Sequence, residues 1–398
     1  MTGRTLKKKL IEASKHYPVV TLTGPRQSGK TTLVRMAFPD YEYVSLEEPD
    51  QRTFALEDPR GFLSQFSDKV ILDEVQHTPD LFSYIQTIVD IKDISGQFVL
   101  TGSQNFLLLQ KVSQSLAGRC AILHLLPFSL SEIRQRHPLS IDSVGQRLPK
   151  KNRYLDEDLA TILLQGFYPR IHDKGLNPGD WLGNYYQTYI ERDVRDILNV
   201  GDLETFSRFV RLCAGRNGQL LNLSSLANDC GVTHTTSKRW ISILETSFIV
   251  FLLRPHFKNF SKRLIKSPKL YFLDTGLLSY LLKIRSADDL RIHAQYGSIF
   301  ESFVISELLK NYLNRGVEHP IYFWRDSTGN EIDILIDQRD KLIPLEIKAG
   351  QTINPDFFKG IRFWKKLATA SDHPAAVVYG GDRSQIRSGI HVVPWSVF

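Results

Sequence analysis

The chain has 398 residues, which at about 150 residues per domain implies two to three domains and excludes a single small module. Fifty Lys and Arg against 43 Asp and Glu leave a formal charge of +7, a mild excess that permits a phosphate-rich partner without demanding one. Hydrophobic residues at 42% and charged residues at 23% are near the averages of soluble proteins, which excludes a wholly disordered or fibrous chain.

From the N-terminus, Lys7, Lys8 and Lys9 lie in a polar helical pattern, where such a run reads either as a nucleic-acid contact or as a solvated helix face. No apolar stretch approaches the length of a membrane span or a signal core. Cys120, Cys213 and Cys230 stand far apart without a C-x-x-C pair, so neither a disulfide framework nor a zinc knuckle is expected, and the histidines show no ligand spacing. The expectation is a reduced, cytoplasmic protein with no membrane partner.

Five short apolar runs, at 18–22, 41–46, 69–73, 97–101 and 120–126, alternate with helical patterns and predict a parallel sheet flanked by helices. Val70, Ile71 and Leu72 lack polar alternation, as befits a strand buried on both faces. Between the first run and the next helical pattern stand Gly24, Pro25, Arg26, Gln27, Ser28, Gly29, Lys30, Thr31 and Thr32, which match G-x-x-x-x-G-K-[ST]. Glycines allow the tight backbone that points N–H groups and a helix N-terminus at an anion. Lys30 would neutralise the β- and γ-phosphates of ATP, and the Thr31 hydroxyl would join the shell of Mg²⁺.

The third run ends in Asp73 and Glu74. Asp73 is expected to hold Mg²⁺, and Glu74, pointing to the other side of the strand, to activate the attacking water. A small-molecule kinase needs no such second acid. The fourth run ends in TGSQN, where Ser103 or Gln104 is a candidate for sensing the γ-phosphate, although polar residues at strand ends are also common turn formers. Arg119, just before the fifth run, reads either as a trans-acting guanidinium for a neighbouring subunit's nucleotide or as a helix-terminal charge. Arg192 and Arg195 are weaker candidates, more naturally paired with Asp193 and Asp196.

GPRQSGKTT, VILDEVQ, LTGSQN and SLAGR resemble the ATPase domain of prokaryotic AAA-type ATP-binding proteins that carry a C-terminal domain of unknown function. GFYP at 166–169, YIERDVRDIL at 189–198 and KSPKLYFLDTGL at 266–277 resemble that family's second half. The resemblance implies an ATPase of the AAA+ superfamily that works as a homo-oligomer.

A Pro-, Ser- and Gly-rich stretch at 136–153 reads as a linker, and 154–215 as helical. LSSLANDCGVTHTTSKRWISILETSFIV reads as helix, turn at Gly231, helix, with Ser224 or Ser225 and Thr233 as caps. Thr235, Thr236, Ser237, Lys238 and Arg239 then stand near the start of the second helix, where a recognition helix would reach DNA, and Lys262, Arg263, Lys266 and Lys269 add charge near a wing; a winged helix that packs against other protein is the alternative. A boundary is expected at 285–297, followed by a helix and strands at 321–324, 331–336 and 342–348. Period-two spacing aligns Asp333 with Glu331, and Glu346 with Lys348, with Glu301 on the preceding helix as a further metal ligand. Asp333, Glu346 and Lys348 are spaced as in the PD-(D/E)XK nuclease fold, which that arrangement resembles; an acid–lysine pair bridging a hairpin, or a nuclease-like fold kept for binding, is the alternative.

The expected architecture is therefore α/β: a P-loop parallel-sheet ATPase domain at 1–140, a linker and helical region at 141–200, a winged-helix-like domain at 201–285 and a nuclease-like α/β domain at 286–398. The expected activity is Mg²⁺-dependent ATP hydrolysis coupled to DNA through the C-terminal region. An ATP-regulated metal-dependent endonuclease and a nucleotide-controlled switch with negligible turnover are the alternatives.

Overall fold

Five strands near the N-terminus form one parallel sheet in the order β2-β3-β4-β1-β5. They are β1 (Val19–Thr23), β2 (Glu42–Ser45), β3 (Val70–Asp73), β4 (Phe98–Gly102) and β5 (Cys120–His124). The computed structural model describes residues 2–66, 68–103, 115–137, 158–189, 203–256, 266–338, 341–370 and 373–398. Every residue of β1, β3 and β4 is buried, because helices cover both sheet faces. Strand periodicity divides the apolar residues between two cores. Val19, Leu72 and Leu100 join Phe62, Phe82 and Ile85, whereas Val20, Leu22, Ile71 and Val99 join Leu6, Leu10, Leu33 and Val34. Lys8 lies on the solvated face of the helix Lys7–Ala13, opposite buried Leu10. Parallel pairing sends the C-terminal ends of β1, β3 and β4 to one edge, which is where the candidate side chains meet.

Most of the remaining chain shares one apolar core that runs from Leu126 to Phe398. The helices Leu223–Cys230 and His234–Thr246 meet at Gly231, whose φ of +70° makes the turn. Thr233 caps the second helix as expected, but the first is capped by Asn222, whose side chain accepts from the Ser225 N–H at 3.0 Å. The helix begins one residue before the serines, so they fall inside its first turn. β6 (Val250–Leu253) and β7 (Lys269–Phe272) follow as an antiparallel pair.

The stretch 285–297, where a boundary was expected, carries a short helix. A capping box of Ser286 and Asp289 starts the helix Ala287–Ile292, Leu290 enters the shared core, and Arg291 pairs with Asp158 at 2.8 Å. Beyond it lies a six-stranded sheet in the order β12-β13-β11-β10-β9-β8. Its strands are β8 (Ile321–Arg325), β9 (Glu331–Asp337), β10 (Leu342–Lys348), β11 (Ala376–Tyr379), β12 (Gln385–Arg387) and β13 (Ile390–Pro394); the last three were not anticipated. The helix Tyr296–Leu313 is buried around most of its circumference and packs its apolar residues into the shared core. The helix Lys359–Leu367 puts Ile361 and Trp364 against the sheet's other face. The linker at 138–153 and the segment 190–198 of YIERDVRDIL, with Arg192 and Arg195, lie outside the described residues. Among the described residues no helix is long and apolar enough to cross a membrane.

Candidate functional site

At the end of β1 the backbone passes so close to β5 that a Cβ on Gly24 would overlap the Leu125 carbonyl oxygen. Gln27 and Gly29 have φ of +62° and +90°, and Gly29 leads into the helix Lys30–Ala37 with no side-chain cap. Its first N–H groups are therefore left for an anion. Lys30 is buried, and its Nζ donates to the Gly24 and Pro25 carbonyls at 3.0 Å each. Burial lowers its pKa, while Glu74 and Asp73 act in the opposite direction.

Three hydroxyls converge on Asp73. Thr31 donates to Oδ2 at 2.8 Å, Tyr43 to the same oxygen at 2.7 Å, and Thr101 to Oδ1. Burial and the bond to Asp73 raise the Tyr43 pKa, so its hydroxyl remains a donor. The Thr31 hydroxyl beside a carboxylate is a hard-oxygen set of the kind Mg²⁺ takes. Glu74, at φ +56° just past β3, turns the other way and accepts from the Ser103 hydroxyl at 2.8 Å, the Ser103 N–H at 3.3 Å and the Gln76 amide. Burial pushes the Glu74 carboxyl up, but Lys30, the bonds from Gln76 and Ser103, and Arg26 outweigh it and hold the pKa below the usual value. The carboxylate is thus held in its ionised form by these donors. Ligand atoms of Glu47, Glu74 and His77 lie within 4.8 Å of one another, so the acidic rim also includes an imidazole.

Sequence reasoning missed Arg4, which braces the loop from outside. It donates to the Ser28 carbonyl at 2.8 Å and the Leu126 carbonyl at 2.5 Å, and lies 3.3 Å from Glu132. Glu132 was readable as the end of a Ser129-x-x-Glu132 capping box; Arg4 and Tyr43 had no local signal. Ser103 reaches Glu74, whereas Gln104 lies outside the described residues. Arg119 makes a two-pronged pair with Asp90 at the start of β5, the end of the sheet away from the loop, so it is remote from its own chain's nucleotide site.

A second cluster forms where β7, β9, β10 and the helix Tyr296–Leu313 meet. Lys348 Nζ lies 2.5 Å from Glu346 and 3.2 Å from Asp333, and the Ile347 N–H donates to Asp333 at 2.8 Å. Burial, with repulsion from Asp333, pushes Glu346 up to about 9. Burial also acts upward on Asp333, but Lys348 and Lys269 outweigh it and lower its pKa. Glu301, which accepts from the Tyr271 hydroxyl at 3.1 Å, is raised to about 7 by burial and by Asp333. All four expected residues, Glu301, Asp333, Glu346 and Lys348, are thus brought together. Lys269 corrects an expectation: it is buried and paired with Glu331, where surface charge on a wing was anticipated. Its place on β7 opposite β6 turns it inward. Lys262 and Arg263 lie outside the described residues. On the helix His234–Thr246, Thr235, Lys238 and Arg239 are exposed, while Ser237 is buried.

Residues 16–134 match the family model of an AAA domain, 156–288 a domain of unknown function (DUF8612), and 296–398 another (DUF4143). Uncharacterized proteins of Mycobacterium bovis and Mycobacterium tuberculosis are each 30% identical over 377 residues, 94% of this chain and 79% of theirs. Among solved structures, the Walker-type ATPase of Pyrococcus abyssi aligns with a TM-score of 0.42 at 15% identity, covering 70% of this chain and 94% of that one. The Holliday junction branch migration motor of Thermotoga maritima aligns at 0.30 and 18%, covering 63% and 90%. With relatives 30% identical over 94% of its length, the chain belongs to the family of the two mycobacterial proteins, and its residues 16–134 form an AAA-type P-loop domain.

Proposed function

We propose that the protein hydrolyses ATP with Mg²⁺ as cofactor and that its nucleotide state acts on DNA through the residues that follow the AAA domain. The observation that carries the hydrolytic half is Glu74, an ionised carboxylate held by Ser103 and Gln76 beside Lys30. In this reading the uncapped helix N-terminus and Lys30 bind the triphosphate, Lys30 exchanging the Gly24 and Pro25 carbonyls for phosphate oxygens. Thr31 and Asp73 would hold Mg²⁺, which when bound neutralises charge on the β- and γ-phosphate oxygens. Glu74 takes a proton from water as its oxygen bonds to the γ-phosphorus; the bond from that phosphorus to the β–γ bridging oxygen breaks, leaving ADP and phosphate. Arg119, half-buried in its pair with Asp90 and remote from its own loop, would exchange that partner to serve a second copy in a homo-oligomer. DNA contact is assigned to Lys238 and Arg239 at the start of the helix His234–Thr246.

Replacing Glu74 by Gln should retain ATP binding while lowering kcat roughly 10²- to 10⁴-fold. Equal turnover in the two proteins would instead favour a nucleotide-controlled binding switch. The Asp333, Glu346 and Lys348 cluster favours a second reading, a metal-dependent phosphodiesterase gated by ATP. That reading requires Mg²⁺-dependent cutting of labelled DNA that Asp333→Ala abolishes while ATP turnover persists.

A further inference from the structure

We propose that the helix Lys359–Leu367 is a separate nucleic-acid surface that takes a single strand along its exposed basic and aromatic face and brings the backbone to Lys348. The inference rests on the DNA half of the function proposed above and assigns it a strand type and a second set of residues.

The helix reads KGIRFWKKL, with four basic residues in nine and no acid. Ile361 and Trp364 anchor it in the core beneath. Their spacing forces Lys359, Arg362, Phe363 and Lys366 outward, and all four are exposed. Phe363 is 41% exposed, its ring 6.4 Å from that of Trp324 between centroids. The surrounding chain has the same sign: residues 341–398 contain eight Lys and Arg against four Asp and Glu, and one of those acids, Glu346, is buried.

Position makes this more than a solvated face. A Cβ on Gly360 would overlap the Glu346 carboxylate, so the first turn of the helix rests directly on the acid–lysine cluster. Lys348, with 30% of its side chain exposed, is the part of that cluster open to solvent beside the helix. Lys359 pairs with exposed Asp356 at 2.7 Å, so a phosphate backbone following Arg362 and Lys366 would displace that carboxylate from Lys359 on its way to Lys348. An exposed ring flanked by cations binds a base by its face, which a duplex hides inside its stack, so the surface fits a single strand.

The test is fluorescence anisotropy of the full-length protein with a labelled oligothymidylate of about 15 nucleotides and, separately, a labelled duplex. Phe363→Ala should weaken single-strand binding roughly tenfold with little change in salt dependence. Arg362→Glu with Lys366→Glu should flatten the dependence of log K on log salt by about 1.4, two phosphates at about 0.7 each. Duplex binding should respond to Lys238→Glu and not to these variants. All positions are exposed, and matched thermal melts confirm folding. Single-strand affinity unchanged in both ridge variants overturns the proposal, as does a duplex complex that the ridge variants weaken equally. If the wild type binds only duplex, and Lys238→Glu abolishes it, the ridge fails while the proposed DNA action stands. If neither probe binds, both fail, and the hydrolytic half is judged separately by Glu74→Gln.

Discussion

Arg4 offers the sharpest test of how the nucleotide loop is held. Its side chain is 7% exposed and that of Glu132 2%, and the guanidinium also lies 4.9 Å from the centre of the Phe128 ring. Arg4→Met keeps the apolar stem and deletes the charge, leaving Glu132 buried without its cation, a loss that costs about 3–5 kcal/mol. Glu132 still accepts from the Thr5 N–H at 2.7 Å and the Ser129 N–H at 3.0 Å, so the lower end, about 3 kcal/mol, is expected. Adding Glu132→Gln removes the orphaned charge and should restore roughly half of that loss. The Ser28 carbonyl also loses its donor, which loosens the loop by about 1 kcal/mol and weakens ATP binding roughly fivefold. Urea unfolding and an ATP titration measure the two effects. An Arg4→Met protein with wild-type midpoint and wild-type ATP affinity would refute the idea that this side chain fixes the loop.

Two further outcomes follow from buried titratable groups. Burial lowers the His124 pKa to about 4, below an unfolded value of about 6.5, so its contribution is complete above pH 6.5 and is lost as the pH falls towards 4, amounting to about 2.5 kcal/mol by pH 4.5. His124→Asn should give a shallower fall in urea stability over that window, and parallel curves would exclude the effect. Lys269→Met removes the ammonium facing Glu331, Asp333 and Glu301 and should cost about 3 kcal/mol at pH 8, less at acid pH as the carboxyls protonate; a pH-independent loss would mean that packing alone is involved.

Much of the nucleotide site was legible because its chemistry is local. A strand, a glycine-bent loop and a helix are contiguous in sequence, and Asp73 and Glu74 close a strand whose apolar run identifies it. The pairing partners were not contiguous. Tyr43 reaches Asp73 only because β2 lies beside β3 with Ser45 opposite Asp73, a register that no local pattern encodes. Arg4 reaches the loop because Leu6 and Leu10 dock its helix under β1. In the C-terminal part, alternation revealed β9 and β10, whereas β11 and β13, buried on both faces, lack alternation and were missed. Lys269 shows the same limit. A lysine among basic residues reads as surface until the β6–β7 pairing turns it towards Glu331.

The arrangement also bears on how a nucleotide signal leaves the loop. The Tyr185 hydroxyl lies 3.4 Å from the Arg26 carbonyl and accepts from the Tyr168 hydroxyl at 3.0 Å. Next to Tyr168, the Phe167 N–H donates to buried Asp274, and its carbonyl accepts from the Phe128 N–H at 2.9 Å. On the same side, the Leu130 N–H donates to Glu307 at 3.0 Å, and Arg134 and Arg136 both donate to the Ser396 carbonyl. The loop thus abuts the shared core directly, through packed aromatic rings and the hydrogen bonds of Tyr185 and Phe167. Interiors packed in this way resist gradual deformation and shift between discrete arrangements. A shift of the loop at Arg26, were Lys30 to exchange the Gly24 and Pro25 carbonyls for phosphate, would meet Tyr185 and then Tyr168, whereas the Leu130–Glu307 and Arg134–Ser396 bonds tie the AAA domain to the C-terminal part without passing through those rings.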